Sequence, residues 1–143
     1  MKWLATILAL FALAAAPATD ESVRFTTVDI RIDPAGKPLA AYQVEFVADA
    51  SRVKLVGIEG GDAKAFAQPP YYDPAALSQS RVIVAAFNTG KELPHASFRA
   101  ARLHVQITGS QAPKWEAKLI VAAGADGEKI PAAAVSLSEG VAK

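Results

Sequence analysis

The stretch from Leu39 to Gly61, LAAYQVEFVADASRVKLVGIEGG, constrains the fold of this chain more than any other. Ala40, Tyr42, Val44, Phe46 and Ala48 share one parity while Gln43 and Glu45 hold the other, the period-two pattern of a strand buried on one face. After the polar break Asp49-Ala50-Ser51, a β-branched run from Val53 to Ile58 closes on Glu59-Gly60-Gly61, where glycines permit a sharp exit from a sheet. Two such strands in succession predict the centre of a β-sandwich.

The N-terminus predicts where the chain goes. Met1-Lys2 supplies a short positive start, Trp3 to Leu13 is apolar apart from Thr6, and Ala16-Pro17-Ala18 fits a signal-peptidase site. The apolar run is shorter than the roughly 20 residues a membrane-spanning helix needs, and the polar Thr19-Asp20-Glu21-Ser22 stands where a basic stop-transfer cluster would sit. The expectation is a signal peptide over residues 1–18 and one mature domain over 19–143, secreted or periplasmic, with no membrane span left after cleavage. The sequence has no cysteine, so neither a lipidated N-terminal cysteine nor a disulfide framework is available, and packing alone must stabilise the fold. Lysine and arginine number 15 against 14 acidic residues, and loss of Lys2 with the signal leaves the mature chain neutral. That balance argues against nucleic acid or anionic lipid as partner.

Further strands follow in order. In SVRFTTVDIRI, Val23 and Phe25 hold one parity and Val28, Ile30 and Ile32 the other, a change that predicts a bulge or a strand passing between sheets. Asp33-Pro34-Ala35-Gly36 fits a type I turn and a hairpin-like link to the next strand. The segment DAKAFAQPPYYDPAALSQS lacks strand periodicity and is long for a loop; within it Asp73-Pro74 predicts a capped helical turn. RVIVAAFN, from Arg81 to Asn88, is apolar on both parities, as in a central strand covered on both sides or one near the middle of a sandwich. Ala101, Leu103, Val105 and Ile107 alternate cleanly with Arg102, His104, Gln106 and Thr108, and Trp115, Ala117, Leu119 and Val121 alternate with Lys114, Glu116 and Lys118. Gly124-Ala125-Asp126-Gly127 signals a turn, Ala133, Val135 and Leu137 predict a last strand, and Ser138 onward reads as a frayed tail. Seven or more short strands with no ordinary amphipathic helix predict an all-β sandwich.

The order of these features resembles the cohesin module. The resemblance rests on Val28 to Ile32, on Leu39-Ala40-Ala41-Tyr42 followed by Val53 to Ile58 and its glycine-rich exit, and on Arg81 to Phe87, Ala101 to Ile107 and the late run Ala125-Asp126-Gly127-Glu128-Lys129-Ile130-Pro131. It spans roughly Val23 to Leu137 and implies a jelly-roll-like sandwich of about nine strands, a fold shared with a group of carbohydrate-binding modules. Cohesins bind dockerins, calcium-loaded helical modules, through one flat sheet face; no motif here carries individual contact residues over.

Phe66, Tyr71 and Tyr72 are the candidate ligand-binding residues, because flat aromatic rings on a loop stack on sugars or anchor protein partners. The competing reading has them closing the core as a lid. His95 and His104 lack a second ligand at metal-binding spacing. Ser97, His104 and Asp126 make a triad on paper, without a nucleophile elbow. Asp62, Asp73 and Asp126-Gly127-Glu128 are the candidates for a structural calcium but lack the repeated acidic spacing, and turn formation explains them equally well. No cofactor and no catalysis are therefore expected. The functional expectation is an exported binding or assembly module for an extracytoplasmic protein partner, with a carbohydrate-binding module that uses the aromatic loop on a polysaccharide as the alternative.

Overall fold

The computed structural model describes residues 14–18 and 21–140. The expected signal peptide lies mostly outside the described residues; Ala14 to Ala18 are exposed and carry no regular secondary structure. Seven strands follow, β1 (Val23–Asp33), β2 (Ala41–Ala48), β3 (Val53–Glu59), β4 (Arg81–Phe87), β5 (Phe98–Thr108), β6 (Trp115–Ala123) and β7 (Ala134–Glu139). They form two antiparallel sheets, one in the order β3-β5-β1-β7 and one in the order β4-β2-β6. The fold is an all-β sandwich. Seven strands stand where about nine are expected, because two further pairings are single bridges, Tyr71 with Ala85 and Ala123 with Lys129.

The core lies between the sheets. Val28, Ile30 and Ile32 of β1 and Leu103, Val105 and Ile107 of β5 are fully buried, facing Val44 and Phe46 of β2 and Val82 and Val84 of β4. Each such side chain contributes roughly 1.5–3 kcal/mol by leaving water, which a domain without disulfides requires. The Leu39–Gly61 stretch straddles the two layers: β2 is the central strand of the three-stranded sheet, and β3 is an edge of the other. Gly60 and Gly61 are required by close approach. A Cβ on Gly60 would stand 2.1 Å from the carbonyl oxygen of Ala67, and one on Gly61 2.1 Å from that of Arg99.

Several local expectations give way. β1 runs through Thr26-Thr27 with one inward parity, Thr26, Val28, Ile30 and Ile32, so Val23 and Phe25 simply face solvent. Its only irregularity falls between Ile30 and Arg31. The turn after β1 sits one residue later than expected, with the Lys37 N–H donating to Pro34 and both Ala35 and Gly36 at positive φ. It links two sheets and makes no hairpin, since β1 pairs with β5 and β7 while β2 pairs with β4 and β6. β4 is an edge strand, and its outer parity is not buried: Phe87 is exposed and Ile83 and Ala85 are half-buried. A register shift beside Gln43 turns Val121 outward, off the parity of Leu119. β7 continues through Glu139, past the point where fraying is expected.

Candidate functional site

The three-stranded sheet turns one face to solvent, and register fixes what stands on it. Phe87 faces Ala41, which faces Ala123; Ala85 faces Gln43, which faces Val121; Ile83 faces Glu45, which faces Lys118; Arg81 faces Val47, which faces Glu116. One end of this face is therefore apolar and the other charged. At the charged end the Arg81 guanidinium donates to the Glu45 carboxylate, with Nε to Oε2 at 2.8 Å. At the apolar end Phe87 is 68% exposed, Ile120 44% and Val121 37%.

The loop between β3 and β4 completes the apolar end. Asp73 accepts the Ala75 N–H at 2.9 Å and caps a 3-10 turn over Pro74–Ala76, which anchors the loop behind Tyr71. Tyr71 bridges to Ala85 in both directions, N–H to carbonyl at 2.8 and 3.0 Å, and so extends the sheet by one residue beyond its edge. Its ring, 72% exposed, lies 6.3 Å from that of Phe87 with 13° between their planes. Beside them a shallow cavity of ≈ 240 Å³ is lined by Ala41, Gln43, Tyr71, Ala85, Phe87 and Val121. Two exposed, nearly parallel rings over an alanine-rich strand form the kind of rigid aromatic surface on which recognition energy concentrates.

The three sequence-predicted aromatics do not converge. Phe66 ends a 3-10 turn at Lys64–Phe66 and is only 3% exposed. Its ring is stacked on Phe98 at 5.6 Å and set edge-on to Tyr42 at 5.2 Å, so its faces are closed to a ligand and it serves as the core lid. Tyr42 beneath it donates its hydroxyl to the Ala100 carbonyl at 3.1 Å, and burial pushes its phenol well above the usual range. Tyr72 is half-buried and packs against the same core. Only Tyr71 stands out from the sheet. Phe87, Ile120 and Val121 were not among the predicted residues. Their signal was present in RVIVAAFN and in Leu119-Ile120-Val121, runs apolar on both parities, which a strand with one exposed face does not need.

The outer face of the four-stranded sheet is built differently. Arg102 holds Asp29 through Nε to Oδ1 at 2.7 Å and a second nitrogen to Oδ2 at 2.9 Å, and that bond keeps the Asp29 carboxyl below its ordinary range against the opposing effect of burial. His104 Nε2 lies 2.8 Å from Glu59 Oε2, and this bond likewise holds the Glu59 carboxyl down. His104 is thus engaged by Glu59. Phe98 to Leu103 of extended β5 lie between it and Ser97, about 20 Å at strand rise, so the paper triad is not assembled. Asp126 accepts the Glu128 N–H at 3.0 Å and Asp62 the Arg99 N–H at 2.8 Å, so these acids form turns and loop ties. Among the described residues no three His, Cys, Asp or Glu side chains gather closely enough to hold a metal ion, and no helix is long and apolar enough to cross a membrane.

No protein-family model matches the chain, and no curated protein matches it significantly. Its structure is similar to a solved complex of a CaDoc0917 variant with CaCohA2 at pH 5.5. The TM-score is 0.57 and the identity 12%, over 79% of this chain and 84% of that one. The fold is cohesin-like.

Proposed function

We propose that this chain is an exported, non-catalytic binding module that recognises a protein partner through the outer face of its three-stranded sheet. One observation carries the reading: Tyr71 and Phe87, each more than two thirds exposed, stack side by side on a sheet face whose strands are otherwise well packed. Large apolar side chains gathered on a surface at this exposure mark interaction sites. The graded face, apolar at the Tyr71 end and charged at the Arg81 end, matches an interface in which an apolar anchor supplies affinity and rim charges supply orientation. The similar solved structure is itself a two-protein complex, which supports a protein as partner. Under this reading residues 1–18 are removed on export and 19–143 act as a single secreted or periplasmic module.

A polysaccharide is the second reading. Its specific support is the 13° angle between the two rings, since nearly parallel aromatic planes offer a platform for sugar faces. Tyr71→Ala with Phe87→Ala distinguishes the readings when the protein is tested against envelope or secreted proteins of its host and, separately, against insoluble polysaccharides. Loss of a specific protein ligand with no sugar retention by the wild type supports the first reading. Retention on one polysaccharide, competed by its soluble fragments and lost in the double variant, replaces it with the second.

A further inference from the structure

The edge of the three-stranded sheet at β6 is open over a defined length. Ala48 faces Trp115 while the Asp49 N–H donates to the Lys114 carbonyl at 3.1 Å. Lys114, Glu116 and Lys118 therefore direct their backbone groups to β2, and Trp115, Ala117 and Leu119 direct theirs away from it. Among the described residues no strand is hydrogen-bonded to β6 on that side, and β7, the edge of the facing sheet, approaches β6 from the other layer. Farther along, the Ile130 N–H donates to the Ala122 carbonyl at 2.8 Å and closes the edge.

We infer that this edge pairs antiparallel with the same edge of a second copy, centred on Ala117. The charge pattern selects that register. Centring on Ala117 places Glu116 opposite Lys118 of the second copy, and Lys118 opposite its Glu116, at the closely spaced positions of the ladder where cross-strand side chains interact most. Centring one residue either way sets Glu116 against itself or Lys118 against itself. Centring on Trp115 brings Pro113, which has no N–H, into the ladder. The Ala117 register forms about six backbone hydrogen bonds and covers the half-buried inner residues Trp115 and Leu119. Glu116 and Lys118 have no ion-pair partner among the described residues. Alternating charge of this kind blunts an edge against arbitrary strands, yet it complements this one pairing.

The two-fold axis of such a pair stands perpendicular to the sheet. Both Tyr71–Phe87 surfaces then lie on the same side of a continuous six-stranded sheet, a bivalent arrangement that raises avidity without any new contact. The dimer is tested separately from the Tyr71–Phe87 anchor, because its register involves neither ring, although Glu116 and Lys118 lie at the charged end of the same face.

Sedimentation velocity over a wide concentration series tests it. The wild-type protein is expected to shift from monomer to dimer. Glu116→Lys and Lys118→Glu each create two like-charge oppositions and are expected to weaken dimerisation about tenfold, with thermal melts that stay near wild type. Mixing the two single variants restores complementarity in a heterodimer, and the double exchange restores the homodimer. A wild type that stays monomeric at its highest soluble concentration overturns the inference, as does a dimer that both single variants leave unchanged.

Discussion

The two outer faces of the sandwich both carry paired charges and differ at the Ala41 end of the three-stranded sheet. On the four-stranded sheet Asp29 and Arg102 satisfy each other, Glu59 holds His104, and Arg31 lies 3.9 Å from Asp62. On the three-stranded sheet the Ala41 end carries Tyr71, Phe87, Ile120 and Val121, with no charged side chain at that end of the register. Val23, Phe25 and Val56 are also exposed, on the four-stranded sheet, but there Val23 and Phe25 stand opposite Thr108 and Gln106. Paired charges are at rest in water and gain little from a partner, because surface ion pairs are worth about 0–1 kcal/mol. Stacked exposed rings gain most when a partner covers them. Under the proposed reading, this contrast is why recognition falls on one face and solvation on the other.

The interior sets the scale for any test of the faces. Phe46→Ala removes a fully buried ring packed beside Trp115 and is expected to cost about 3–5 kcal/mol in a denaturant titration; a loss below about 1 kcal/mol would take β2 out of the core. Tyr71→Ala with Phe87→Ala is expected to weaken partner binding by about 2 kcal/mol or more, roughly thirtyfold, while the midpoint of unfolding barely moves. Tyr72→Ala should do the reverse. Its half-buried ring packs on the core, so about 1–2 kcal/mol of stability goes and binding stays; unchanged stability with lost binding would move the site deeper into the loop.

The smallest effect belongs to the paired face. Asp29→Asn should cost about 1 kcal/mol at neutral pH and leave partner binding intact. The sign with pH follows from the bond to Arg102. A carboxyl held below its ordinary value stabilises the fold fully above about pH 4, and that contribution drains away as acid takes the pH down through the lowered native value. Unfolding free energy measured against pH should therefore fall less steeply on the acid side in Asp29→Asn than in the wild type. Identical acid limbs would show that the pair adds nothing.

Much of the scaffold was legible because buried strands write a period of two. Ala101, Leu103, Val105 and Ile107 and the Phe46 strand face inward as their parity requires. The candidate site was legible only in part. Parity says which residues share a face but not which sheet is covered, so the double-apolar β4 reads as a buried strand when it is an edge with one exposed apolar side. The shift that turns Val121 outward is a single residue in register, below the resolution of any pattern. Phe66, Tyr71 and Tyr72 sit within seven positions of one loop, yet the 3-10 turn at Lys64–Phe66 sends the first inward and the bridge to Ala85 holds the second out. Adjacency in sequence says little about direction where the backbone is irregular.

The most direct test of recognition by the three-stranded sheet compares three forms of the protein as bait against the secreted or envelope fraction of its host: wild type, Tyr71→Ala with Phe87→Ala, and Asp29→Asn. The expected result is a specific protein retained by wild type and by Asp29→Asn and lost from the folded double variant. Equal retention by all three, or loss with Asp29→Asn alone, would contradict the assignment and move recognition off this face.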